Sequence, residues 1–360
     1  MSTGGAADDA ATDGAGSGDG SAATDGAGGA AVDVSLPAAA QPSVDALVEQ
    51  AQLAEELGYE RAWLPESWGR NAAVVLAAIA GRTEAIGLGT SITPVYSRSP
   101  ALIGQTAATL QEVSGGRFRL GLGPSGPLVI ENWHGVDFER PLRHTRETVE
   151  IVRELLSGAD VNYDGELFDL SGFRLRCEPP GVPPEIDVAA MGPKAVELAG
   201  RFADGWHAVM FTREGIAERA ADLRRGAELG ERDPADVRTT FAVGCCVLED
   251  RERARELARQ HLAFYLGGMG TFYRDSLAAQ GHGGVASEVY EAWQAGEREA
   301  AMAAIPDDLL DAMAVAGTPT EARERLATFG ATEGVDAVAV SFPRGAELAE
   351  VEATMDALAP

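Results

Sequence analysis

From Ala31 onward the sequence alternates short strand-like runs with longer helical patterns, and few folds accept that alternation. The strand candidates are Val32–Leu36, Arg61–Pro65, Ala85–Thr90, Phe118–Leu122, Ile186–Ala190, Trp206–Met210, Thr240–Val247 and Val335–Ser341. Helical patterns lie between most of them, at Val44–Leu57, Ala72–Arg82, Ala101–Val113, Lys194–Phe202 and Thr320–Phe329. Eight successive βα units close a (βα)8 TIM barrel, the α/β fold this order predicts; an open doubly wound sheet is the competitor. Residues 32–360 exceed the ~250 typical of a barrel, and two stretches absorb the excess. They are Pro124–Pro184, after the fourth strand, and about Phe264–Asp311, after the seventh. Both are expected over the C-terminal face, where barrel sites are built. Residues 1–31 are nearly all Gly, Ala, Ser, Thr and Asp. They offer too little apolar area to offset the entropy of ordering, so a disordered acidic tail is expected there, followed by one barrel domain over 32–360.

The formal net charge is −27. Such a surface repels phosphate backbones and anionic lipid, so neither nucleic acid nor membrane is expected as a partner, and a small molecule is the expected substrate. The chain has a single lysine, Lys194. Acid-rich, lysine-poor surfaces resemble those of halophilic proteins, whose charges are screened within about 3 Å at molar salt. Low ionic strength is then expected to destabilise the protein, while GC-rich coding is a second cause of the missing lysines. Cys177, Cys245 and Cys246 show no C-x-x-C spacing, and the histidines at 134, 144, 207, 261 and 282 show no metal-ligand spacing. No apolar run reaches the roughly 18 residues of a membrane span, and the N-terminal stretch carries no basic residue, so a cytoplasmic location is expected and no metal.

Several motifs could carry chemistry. Gly121-Leu-Gly123-Pro-Ser-Gly126 matches the dinucleotide fingerprint G-x-G-x-x-G, yet it follows the fourth strand, and Pro124 and Pro127 remove backbone donors. Ile86-Gly-Leu-Gly-Thr-Ser91 echoes Leu120-Gly-Leu-Gly-Pro-Ser125. Both pairs of glycines are expected to let a flat ligand approach neighbouring strand ends; tight turns are the alternative. Glu66 stands between Trp63 and Trp68, where desolvation would raise its pKa and suit it to proton donation; a solvated glutamate is the ordinary alternative. Glu131, with Trp133 and His134, repeats that mixture in the first insertion. His207 has apolar neighbours on a strand and reads as a core histidine bonded to a backbone group. Lys194 opens a helix after Met191-Gly192-Pro193, where an ammonium beside free backbone N–H groups makes a phosphate site; a stray surface lysine is the alternative.

Three passages together resemble the luciferase-like flavin and deazaflavin oxidoreductases, closest to the branch that uses coenzyme F420 and to methylenetetrahydromethanopterin reductase. They are Ile86–Pro94 with the Tyr96–Ala101 segment and the helix beyond it, Ser125–Gly135 with Pro141–Glu147, and Met191–Gly200 with Ala203–Trp206. The resemblance implies a barrel of the bacterial-luciferase type and a non-prolyl cis peptide at Ser91–Ile92 propping a deazaflavin ring. Ser91 and Ile92 would back the ring, Ser125, Gly126 and Val129 would line it, and Met191, Gly192, Pro193 and Lys194 would hold its phosphate. The implied activity is hydride transfer between the deazaflavin and a small organic substrate, with Glu66 and then Glu131 as proton source. Alternatives are an FMN-dependent monooxygenase and a non-catalytic deazaflavin carrier. Many deazaflavin relatives carry Asp-His where this chain has Glu66-Ser67. Arg98, Arg140, Arg143 and Arg146 are expected to offset repulsion of the acidic coenzyme, and a homodimer through barrel helices is the oligomer the family implies.

Overall fold

Several βα units begin in an apolar run too short for a helix and hand over to a helix through a polar cap. Ser43 caps Val44–Glu56, Asn71 caps Ala72–Ala80, and Ser99 caps Pro100–Val113 with proline in its first turn. Thr318 and Glu321 form a reciprocal capping box ahead of Pro319–Gly330. The computed structural model describes residues 29–38, 41–177 and 181–360. Most of the expected acidic tail lies outside the described residues.

Eight parallel strands close on themselves: β1 (Ala31–Ser35), β2 (Arg61–Leu64), β3 (Gly87–Thr90), β4 (Phe118–Gly123), β5 (Glu185–Ala189), β6 (Gly205–Val209), β7 (Arg238–Val247) and β8 (Ala337–Ser341). Closure is explicit in the register. Val34 lies opposite both Ala62 and Val340, and Phe241 opposite both Ala208 and Val338. The ring has no open edge, so the doubly wound alternative is excluded.

Alternation along the strands divides two environments. Leu64, Leu88, Leu120, Ile186, Trp206 and Val338 face outward and join the helices in the main core. Inward-facing positions bring polar groups together that are far apart in sequence: Arg119 of β4 with Asp187 of the neighbouring β5, and Arg238 of β7 with Asp33 of β1. Large interior side chains require glycine opposite them. A Cβ at Gly89 would lie 2.3 Å from the Trp63 ring, and one at Gly205 would lie 2.3 Å from Asp187.

Both insertions fall where the sequence places them. The first carries the helix Pro141–Leu156 and an antiparallel hairpin, Val161–Asp164 with Asp169–Phe173. The second is mainly helical and has its own core, in which Leu277, Val289 and Leu310 pack on Leu262 and Leu266. It ends in a short strand, Ala314–Gly317, that pairs with Gly244–Val247 of β7 beyond the point where β7 leaves β8. No helix among the described residues is long and apolar enough to cross a membrane.

Candidate active site

At the end of β3 a cis peptide joins Ser91 to Ile92, as the resemblance implies. The chain then returns, and Thr93–Pro94 pairs with Leu122–Gly123 of β4. The Thr90 hydroxyl donates to the Gly121 carbonyl at 2.8 Å and accepts the Gly121 N–H at 3.0 Å. A Cβ at Gly121 would lie 1.9 Å from the Thr90 carbonyl oxygen, and one at Gly123 would lie 3.1 Å from Ile92 Cγ1. These glycines therefore make room for the bulge itself, and Gly87 and Gly89 make room for Arg61 and Trp63. The expectation that they admit a flat ligand is corrected: they admit neighbouring protein.

Behind the bulge stands a buried polar chain. His207 Nε2 lies 3.1 Å from Ser91 Oγ, its ring meets Trp63 edge-on at 4.6 Å, and Trp63 Nε1 donates to Asp33 at 2.8 Å. Burial pushes His207 down to about 3, helped by the Arg119 and Arg238 charges, so the imidazole is neutral at ordinary pH. Burial pushes Asp33 up to about 6, against the pull of Arg238 and the Trp63 hydrogen bond. His207 is thus a core residue, as read from the sequence, but its partner is a hydroxyl of the bulge and not a backbone group. The alternation of β6, which places His207 on the same parity as Gly205, already carried the signal that it faces inward.

Glu66 does not sit in an aromatic pocket. Trp63 is fully buried inside the barrel, and Trp68 is 43% exposed. Arg98 forks the Glu66 carboxylate at 2.5 and 2.9 Å, and the Ala72 N–H donates to it at 2.8 Å. Two charge-assisted bonds and a helix-start amide make Glu66 a clamp between two loops, in place of the desolvated aromatic setting expected for it. The arginines expected to attract the coenzyme are likewise engaged. Arg140 and Arg143 bind Glu166, Arg146 binds Glu150, and Arg98 binds Glu66.

The remaining expected residues surround the same mouth. Ser125 adopts a left-handed backbone (φ 60) after β4, Gly126 has open space where a Cβ would stand, and Val129 is buried on the following turn. Glu131 is exposed on a π-helical turn, Ile130–His134. After β5, Met191 is buried, and Gly192 precedes the helix Pro193–Phe202, whose start has no side-chain cap. Lys194 is exposed in its first turn and has no carboxylate partner among the described residues.

The pattern described as luciferase-like monooxygenase matches residues 23–337. The chain belongs to that family. A luciferase-like barrel places its chemistry on enzymes of oxidoreductase type, and the relatives agree. The 5,10-methylenetetrahydromethanopterin reductase of Archaeoglobus fulgidus is 32% identical over 302 residues, covering 82% of this chain and 88% of that one. The F420-dependent glucose-6-phosphate dehydrogenase of Amycolatopsis mediterranei is 30% identical over 230 residues, 59% of this chain and 68% of that one. Among solved structures, the coenzyme F420-dependent tetrahydromethanopterin reductase of Methanopyrus kandleri superposes with a TM-score of 0.78 at 22% identity, over 92% of this chain and 98% of that one. In this luciferase-like barrel the bulge, the β4 turn and the Lys194 helix all follow consecutive strands, β3 to β5, on one side of the C-terminal mouth.

Proposed function

We propose that the chain is a coenzyme F420-dependent oxidoreductase that moves a hydride between the deazaflavin and a small organic substrate. One observation carries the reading: an uncapped helix start, a glycine with open space before it and a lysine with no carboxylate partner among the described residues follow β5, two strands along the mouth from the bulge. Backbone N–H groups and an ammonium together suit a phosphate diester, and the other arginines of that side are held by carboxylates. The coenzyme would supply hydride chemistry at C5 of its ring. The protein's own groups have separate tasks: Ser91 and Ile92 support the ring from behind, Ser125, Gly126 and Val129 border it, and Met191, Gly192, Pro193 and Lys194 take the phosphate. His207, through Ser91, keeps the support in place. Glu131, which has no ion-pair partner among the described residues, is assigned the proton. Similarity to the Archaeoglobus reductase supports a methylenetetrahydromethanopterin-like substrate class.

A fluorescence titration in concentrated KCl tests this reading. Oxidised deazaflavin coenzyme is expected to bind in the micromolar range, with Lys194→Ala weakening it about tenfold or more, ~1.4 kcal/mol. Preference for FMN, followed by oxygen uptake once that flavin is reduced, would make the chain a monooxygenase; binding of neither would remove the coenzyme assignment. Glu131→Gln is expected to lower kcat by about 10²-fold or more while coenzyme affinity stays the same.

A further inference from the structure

On the Lys194 side of the mouth one ion pair differs in kind from its neighbours. Arg98 holds Glu66 with side chains 14% and 9% exposed, and Arg146 holds Glu150 within one helix, where Glu150 also accepts the Tyr163 hydroxyl. Glu166 instead reaches Arg140 and Arg143 from the tip of the hairpin in the first insertion. Its side chain is 52% exposed, and those of Arg140 and Arg143 are 46% and 36% exposed. The Arg143 guanidinium stands 2.7 Å from the carboxylate, and Arg140 bonds it as well. The Arg140 bond, with the charges of Arg143 and Arg146, holds the Glu166 carboxyl below its ordinary range, so the group is ionised at ordinary pH.

The backbone on both sides of this pair is fixed by other groups. Glu147, buried beneath the hairpin, accepts the N–H groups of Glu166 and Leu167 at 3.0 Å and of Phe168 at 3.2 Å. Arg140 keeps a left-handed backbone (φ 51) just before Pro141, and the Tyr96 hydroxyl donates to the Glu139 carbonyl at 2.6 Å, which ties that turn to the loop leaving the bulge. A carboxylate of another molecule can therefore replace that of Glu166 by rotation of one exposed side chain while both backbones stay in place. An exposed pair is worth little in water, and trading one carboxylate for another leaves the guanidinium charges matched. The position suits one ligand. The helix Pro141–Leu156 packs beside Pro193–Phe202, the helix that opens with Lys194. On the other flank of that helix, Arg213–Leu229 starts on a Thr212 cap, and its Arg213 lies over Phe329. A coenzyme whose phosphate sits at Lys194 continues beyond that phosphate into a chain of glutamates, and the pair of guanidinium groups stands on the adjoining helix start.

We propose that Arg140 and Arg143 form a second anion subsite, for the carboxylates of the coenzyme's glutamyl tail, and that Glu166 is an internal stand-in which the tail displaces. The assignment rests on the coenzyme reading and adds a property which that reading does not require, an affinity that depends on the tail. Fluorescence titrations of the full chain, without substrate, would compare oxidised coenzyme carrying several glutamates with the same coenzyme ending at its phospholactyl group. They would be run over KCl concentrations at which circular dichroism shows the chain folded. The tail is expected to strengthen binding about fivefold, and the gain to shrink as KCl rises. Glu166→Gln removes the competitor and is expected to raise that gain about threefold further, while Arg140→Gln combined with Arg143→Gln is expected to abolish it. The tail-less form should bind all these proteins within about twofold of one another, because it does not reach the pair. A merely structural role for the three residues would move both forms of the coenzyme alike. Equal binding of the two forms by the wild-type protein, or a tail gain that Glu166→Gln leaves unaltered, would overturn the subsite and leave the coenzyme reading in place. Binding of neither form would overturn both.

Discussion

A methyl group at position 121 would stand 1.9 Å from the Thr90 carbonyl oxygen, backbone against backbone, with nothing flexible to yield. Gly121→Ala is therefore expected to cost about 2–4 kcal/mol, as overpacking at a rigid contact does. A urea melt that moves by less than about 0.5 kcal/mol would refute the close-approach explanation. The G-x-G spacing is plain in the sequence, but its cause is not, because the atom it avoids belongs to a strand 31 residues earlier that only barrel closure brings alongside. His207 teaches the same lesson with a different observable. Its pKa in the folded protein, about 3, lies below the ordinary imidazole value of 6.5. The unfolded chain thus takes up a proton that the folded protein refuses, so stability is full above pH 6.5 and is lost as pH falls through the window down to about 3. Between roughly pH 7 and 5 that loss is ~2 kcal/mol from His207 alone. Asp33, raised to about 6, works the other way, favouring the fold as pH falls below that value, and His261, at about 4, adds to the loss. His207→Gln should flatten the acid limb of stability against pH by about that ~2 kcal/mol, and an unchanged slope would show that the ring is not buried neutral.

Between neighbouring elements, Glu66 ties the loop after β2 to the loop after the bulge through Arg98 and caps the start of Ala72–Ala80. Its side chain is 9% exposed and that of Arg98 is 14% exposed. Partial solvent contact lowers the value of the pair below that of a fully buried one, so Glu66→Gln is expected to cost about 1–3 kcal/mol. Because the carboxylate is a clamp, kcat should fall by no more than about tenfold and its pH profile should keep its shape; a loss of about 10³-fold with an altered profile would return Glu66 to the role of acid. Helix starts were readable at this scale because their caps are local: Ser43, Asn71, Ser99 and Thr318 sit immediately before the helices they cap. The strand Ala314–Gly317 was not readable. Four residues, Ala-Val-Ala-Gly, carry no periodicity, and the segment is extended only because the free second half of β7 gives it hydrogen bonds. The Arg98–Glu66 fork also needed the fold, since nothing in the sequence links two residues 32 positions apart.

For the molecule as a whole, closure of eight βα units and the placing of both insertions followed from the order of patterns along the chain, because a barrel is fixed by the count of its units more than by any contact. Net charge is likewise a property of the whole, and it makes a separate demand. At −27, carboxylates outnumber the cations that can pair with them, and the arginines already engaged include Arg140, Arg143, Arg146, Arg225 and Arg253. The unpaired carboxylates repel one another across the surface, and unfolding relieves that repulsion by spreading them apart. Salt removes the same repulsion without unfolding, since screening shortens from about 30 Å at 0.01 M to about 3 Å at 1 M. The melting temperature is therefore expected to climb by several degrees or more as KCl rises over that range, and most steeply at the dilute end, where the screening length still exceeds the spacing of surface charges. Arginine-for-lysine bias from coding alone makes no such demand, so a melting temperature independent of KCl would assign the composition to coding. Salt also weakens surface ion pairs, and exposed pairs such as Arg224 with Glu333 pull the curve the opposite way. The sign of the slope thus decides which is larger, repulsion among the surplus carboxylates or attraction within the pairs, and the surplus predicts a positive one.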